Sequence, residues 1–133
     1  MRIAIDTNVF VSILVFGSKP LGNMLANICE NHTLVLSSYV IEELIRVVQT
    51  KFPGKLAAMD NILLNMPYES EYTPHKLPKH NLFEIRDIKD EKVLYSAITA
   101  DVDILITGDK DFQDLGLEHP EILTPSEFLK QYG

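Results

Sequence analysis

The sequence predicts an α/β fold, with a mostly parallel sheet covered by helices on both faces. Two observations carry this. Strand-like runs of four or five mostly apolar residues, Arg2–Asp6, Thr33–Leu36 and Asp103–Thr107, are too short to be buried helices. Between them lie stretches with helical spacing, and strands alternating with helices imply a parallel sheet. The length of 133 residues suits a single domain over 1–133, and 46% hydrophobic with 23% charged residues supplies a core.

Arg2–Asp6 is the first strand, ending on an acid, and Thr7 and Asn8 are helix-start residues. Val9–Phe16 is one or two helical turns, broken by Gly17-Ser18-Lys19-Pro20. In Leu21–Asn31, the residues Leu21, Met24, Leu25, Ile28 and Cys29 fall on one helical stripe, with Cys29 expected in the core. After the second strand, Ser37 and Ser38 can cap a helix whose stripe is Val40, Ile41, Leu44, Ile45 and Val48. Pro53-Gly54 interrupts, and Lys55–Asn65 is a further helix. Three prolines between Pro67 and Leu82 favour loop, with an edge strand near Tyr68–Thr73. Asp90–Ala100 is helical with Val93, Leu94, Ala97 and Ile98 inward, and the Asp103–Thr107 strand follows. A short helix over Asp109–Leu115, a strand over Glu121–Leu123 and a helix over Pro125–Tyr132, with Pro125 in its first turn, close the chain.

No apolar run approaches the ~20 residues of a membrane helix. Asp6 interrupts the opening residues, which excludes a signal peptide as the expectation. A lone cysteine, Cys29, rules out a disulfide within the chain and fits a cytoplasmic location. The net charge of −7 is unlike that of simple nucleic-acid binders, which are basic. Either the partner is not a polyanion, or the acids are concentrated where cations neutralise them.

Ligands of open α/β sheets bind outside the carboxyl ends of the strands. Asp6 ends the first strand, and Asp109 lies two residues past the Asp103–Thr107 strand. Glu43 lies about a turn and a half into the helix after the second strand, and Asp90 begins the helix leading to Asp103. Each acid alone has an ordinary explanation. Asp6 and Asp90 suit helix caps, Glu43 beside Glu42 suits solvated surface, and Asp109 with Asp111 suits a turn. Gathered at one edge, four carboxylates would repel by a few kcal/mol per pair at an effective dielectric of about 20. They then take up protons or bind cations. Oxygen ligands without clustered histidines suit Mg²⁺ or Mn²⁺, and such ions activate water against phosphate esters.

At these residues the sequence resembles the PIN-domain family, and within it the VapC-like toxin branch. "IDTNVFVS" (Ile5–Ser12), "SSYVIEEL" (Ser37–Leu44) and "RDIKDEKVLYSAITADVDILITGDKDF" (Arg86–Phe112) resemble its acid-bearing blocks in order, and "ILTPSEFL" resembles its closing segment. The resemblance implies a three-layer α/β/α sandwich and an Mg²⁺- or Mn²⁺-dependent endoribonuclease. Asp6, Glu43, Asp90 and Asp109 are then catalytic, with Asp6, Asp90 and Asp109 holding the metal and Glu43 assisting directly or through water. Asn8 and Thr107 orient ligands or the scissile phosphate, and Asp111 is an accessory acid. Asp87 and Glu91 tune the charge around Asp90. RNA is the implied substrate, an antitoxin protein the implied partner, and a homodimer the implied assembly. A silenced or non-catalytic PIN scaffold that binds RNA or a protein is the alternative.

Other chemistries are disfavoured. A haloacid-dehalogenase phosphatase needs an aspartate where Asn8 stands, and a response-regulator receiver needs an early acidic pair. His32, His75, His80 and His119 lack zinc-site spacing. Nucleophile-elbow and phosphate-loop motifs are absent. Arg46, Lys51, Lys76, Lys79 and Lys110 are the basic residues placed to meet RNA, though solvated surface is the ordinary role of each. The apolar faces of Val9–Leu14 and Leu21–Ile28 suit core, or else a dimer or antitoxin surface.

Overall fold

The computed structural model describes residues 1–76 and 88–133, and of residues 88–90 the backbone alone. Lys79, His80 and Asp87, with the later part of the Pro67–Leu82 loop, lie outside the described residues. In chain order the elements are β1 (Arg2–Ile5), α1 (Thr7–Leu14), α2 (Lys19–Asn31), β2 (Thr33–Ser37) and α3 (Ser38–Lys51). A 3₁₀ turn (Pro53–Lys55) precedes α4 (Leu56–Asn65) and β3 (Glu69–Glu71). Then come α5 (Ile88–Thr99), β4 (Ile104–Ile106), α6 (Lys110–Gln113), β5 (Glu121–Leu123) and α7 (Pro125–Tyr132).

The five strands form one sheet in the order β3-β2-β1-β4-β5, and every pair is parallel. The fold is therefore a three-layer α/β/α sandwich, and among the described residues every strand pair of its sheet is parallel. Right-handed crossovers carry α1 to α4 over one face and α5 and α6 over the other. α7 returns to the first face, where Leu129 shares a groove with Met24 of α2. Strand register explains the apolar runs. Ala4 pairs with Val35 and Leu105, and these turn toward Val93 and Ala97 of α5. Ile3 pairs with Leu34 and Ile104, on the opposite face. Both faces are covered, so β4 reads as Ile-Leu-Ile without alternation and is buried throughout.

Local signals set the helix starts. Ser37 Oγ accepts from the Val40 N–H at 3.1 Å, and Thr124 and Glu127 form a reciprocal capping box on α7. Ser18 caps α2, so the helix starts at Lys19 rather than Leu21. Pro20 falls in its first turn, where proline costs no hydrogen bond. Gly17, at φ +60°, makes the preceding reversal. That reversal ends α1 at Leu14 rather than Phe16, whose exposed ring rests edge-on against Phe52 at 6.2 Å. On α5 the inward stripe is Val93, Leu94 and Ala97, continued by Ala100 just past its end. Ile98 falls beyond its edge and is exposed, contrary to expectation.

The apolar faces of α1 and α2 are consumed by this core. Val9, Phe10, Val11, Leu14, Met24, Leu25 and Ile28 are all buried within the chain, so those residues offer no spare dimer surface. Cys29 is half-buried at the core margin. Among the described residues no single helix is long and apolar enough to cross a membrane. Leu105 has no exposure and Leu64 is 84% exposed, so the two leucines test the packing. Leu105→Ala is expected to lower unfolding free energy by about 2–5 kcal/mol, and Leu64→Ala by no more than about 0.5 kcal/mol. Urea denaturation measures both, and equal losses would contradict this core.

Candidate active site

β1 connects onward toward β2, whereas β4 connects away from it toward β5. The crevice between the carboxyl ends of β1 and β4 is thus the topological switch point, where such sheets bind ligands. Asp6 is the first residue past β1, and its N–H donates to the Ile106 carbonyl at 2.9 Å. This bond continues the β1–β4 ladder and places the Asp6 side chain at the mouth of the crevice.

Asp6 is only 7% exposed. Its Oδ1 accepts from the Thr7 N–H at 2.7 Å, capping α1, and its Oδ2 accepts from the Thr107 hydroxyl at 2.9 Å. The same Thr107 oxygen accepts from the Asp109 N–H at 3.1 Å. Thr107, which has no exposure, therefore ties the two acids together. Asp109 is half-buried and caps α6, its Oδ1 accepting from the Asp111 N–H at 2.9 Å. Burial pushes the Asp6 carboxyl above its ordinary pKa. Hydrogen bonds from Thr107 and Thr7 oppose that rise, while the negative charges of Glu43 and Asp109 add to it.

Glu43 stands on α3 with its side chain 17% exposed. Tyr39, one turn earlier, donates its hydroxyl to Glu43 Oε2 at 2.6 Å, and Arg46 Nη2 lies 3.7 Å from the same oxygen. Tyr39 was not singled out from the sequence, although its i, i+4 spacing from Glu43 was the available signal. Lys92, also not singled out, holds its ammonium 5.4 Å from the centre of the Tyr39 ring.

The remaining expected residues are less drawn together. Asn8 is exposed in the first turn of α1, and its carbonyl accepts from the Ser12 hydroxyl at 3.1 Å. Asp111 is exposed in the first turn of α6. Asp90 is the third residue of α5, in its first turn, and its side chain lies outside the described residues. Glu91 is buried. His32 bonds the chain's amino terminus, His75 faces Glu42, and His119 faces Asp101.

Among the described residues, no three His, Cys, Asp or Glu side chains converge closely enough to hold a metal ion. The chemistry of the crevice nevertheless suits a hard cation. Among the described residues each Asp6 oxygen accepts one hydrogen bond, which leaves acceptor capacity on both. Its charged neighbours are acids, and no Lys, Arg or His among the described residues pairs with it. Such an oxygen donor set favours Mg²⁺ or Mn²⁺.

Comparison with known proteins gives a PIN domain match over residues 2–111. The chain belongs to the PIN-domain family. Two solved structures share the PIN fold seen here. VapBC2 from Rickettsia felis, solved bound to a DNA fragment from its promoter, aligns with a TM-score of 0.71 at 22% identity, over 92% of this chain and 97% of that one. FitAcB from Neisseria gonorrhoeae aligns with a TM-score of 0.63 at 15% identity, over 93% and 98%. No curated protein sequence matches.

The raised Asp6 pKa has a consequence for stability in chelator. The folded state holds the Asp6 proton more tightly than the unfolded chain, so the neutral carboxyl favours folding. That advantage is complete below the ordinary carboxyl range and is lost as pH rises through the folded value. Asp6→Asn should therefore melt above the wild type near neutral pH, with the gap closing toward about pH 4. Paired thermal melts measure this, and a gap independent of pH would refute the assignment.

Proposed function

We propose that this PIN domain is a metal-dependent endoribonuclease that hydrolyses RNA phosphodiester bonds. The observation that carries the reading is the buried Asp6 carboxylate, joined to Asp109 through Thr107 at the switch point and lacking a cationic partner among the described residues. Asp6, Asp90 and Asp109 would hold Mg²⁺ or Mn²⁺. When bound, such an ion supplies Lewis acidity and a more acidic water. Thr107 keeps Asp6 and Asp109 in register, a supporting task on which ligand orientation depends. Glu43, tied through Oε2 to Tyr39, stands beside them as the assisting carboxylate. Asn8, exposed at the rim, orients the scissile phosphate, and Asp111 contributes charge from the start of α6.

We further propose that the chain is the toxin of a toxin–antitoxin pair acting in the cytoplasm, with an antitoxin protein as partner. The sequence blocks of the VapC-like branch support this, and so does the shared fold with VapBC2 and FitAcB.

Purified protein should cut a mixed single-stranded RNA in Mn²⁺ or Mg²⁺ and stop when the metal is chelated. Asp90→Asn and Asp6→Asn should each lower the rate by about a hundredfold or more. Cutting equal to that of the variants, over a range of RNAs, would replace this reading with a silenced scaffold.

A further inference from the structure

We propose that Tyr39 and Lys92 form one device at the edge of the active site, resting on the nuclease reading above. The Tyr39 hydroxyl positions Glu43, and its ring carries Lys92 as a contact for an RNA phosphate beside the scissile one.

Several observations place the two residues in fixed relation. Tyr39 is the second residue of α3, and its N–H donates to Thr73 Oγ1 at 3.4 Å. Thr73 just follows β3, and its own N–H donates to Ser38 Oγ at 2.8 Å. The Thr73 hydroxyl is buried and bonds the Ser96 hydroxyl on α5. The start of α3 is thereby tied to the helix that carries Asp90 and Lys92. Tyr39 then reaches Glu43 Oε2 at 2.6 Å, a short charge-assisted bond. With that oxygen held, the carboxylate loses rotational freedom.

Lys92 is half-buried, and its ammonium lies within cation–π range of the Tyr39 ring. Among the described residues no carboxylate ion-pairs with it. Donation of the phenol proton toward Glu43 enriches the ring in electron density and strengthens its hold on the cation. Lys92 approaches the site through Tyr39, whose hydroxyl holds Glu43, and not through its spacing from Asp90, because residues two apart on a helix face different ways. A half-buried lysine whose head has no ion-pair partner among the described residues, held over the ring that anchors Glu43, suits a polyanionic substrate. Arg46, on Glu43 itself, is already engaged.

Three variants separate the two tasks, with mixed single-stranded RNA as the probe. Tyr39→Phe keeps the ring and loses the hydroxyl. It should lower kcat about tenfold, with KM unchanged. Lys92→Met keeps the stem and loses the charge. It should raise KM about threefold to fivefold. Tyr39→Leu removes both supports and should show both effects. RNA binding, followed by fluorescence anisotropy in an Asp90→Asn background, reads Lys92 without turnover. There Lys92→Met should flatten the slope of log K against log salt by about 0.7, the share of one phosphate contact on a single strand. Lys92→Arg should restore the slope. Wild-type kcat in Tyr39→Phe, or a wild-type salt slope in Lys92→Met, overturns the proposal while leaving the nuclease reading in place. Should Tyr39→Phe fold poorly, the Lys92→Met slope decides alone. A wild type that neither cuts nor binds RNA sinks the nuclease reading and this inference with it.

Discussion

The hydroxyl of Thr107 is the joint on which the crevice at the switch point depends. It gives its proton to Asp6 and takes one from the Asp109 backbone, so one buried oxygen fixes two acids from strands adjacent in the sheet but far apart in sequence. The register of β1 on β4 makes this reach possible. Ile5 pairs with Ile106, which brings the next residue of each strand, Asp6 and Thr107, side by side. A shift of one residue would turn Thr107 to the opposite face of the sheet and leave Asp6 buried without its second donor. Sheet packing and site geometry are therefore one constraint. The core that buries Ile5 and Ile106 also aligns the carboxylates.

The same arrangement sets stability against function. An ionised carboxylate at 7% exposure is costly, and two further acids within electrostatic reach add to the cost. Two hydrogen bonds offset part of it. A cation would offset more, because it replaces repulsion with attraction among the same groups. A structural aspartate cap would need none of this. Ser37 and Thr124 start helices with neutral hydroxyls, whereas the two caps at the switch point, Asp6 and Asp109, are acids.

Most of the architecture was legible from the sequence because parallel strands covered on both faces leave unbroken apolar runs, and helices leave stripes. The misjudged boundaries have local causes. Pro20 looks like a helix breaker in the sequence, yet it is accommodated in the first turn once Ser18 caps the helix. Ile98 extended an apolar pattern on α5 past the arc that the sheet covers. In the crevice, the sequence pointed to Asp6 and Asp109 through their place after strands, and both prove to be caps as well as neighbours. The ordinary and functional explanations of an acid are thus compatible, and residue type alone does not separate them. Tyr39 and Lys92 were missed because their relation is tertiary. They belong to α3 and α5, and only the packing of those helices through Thr73 and Ser96 brings ring and ammonium together.

This placement bears on how a chain of net charge −7 could act on a polyanion. Net charge governs the approach at long range, but salt screens exposed charges beyond about 8 Å at physiological ionic strength. Within that distance the local order of charges decides. The crevice sets Asp6 and Asp109 deep and half-deep, with Lys110 exposed at the start of α6, and Arg46 and Lys92 beside Glu43 and Tyr39. Cations at the rim and carboxylates within are the order an RNA strand would need if its phosphates meet fixed positive charge first and a metal-neutralised pocket second.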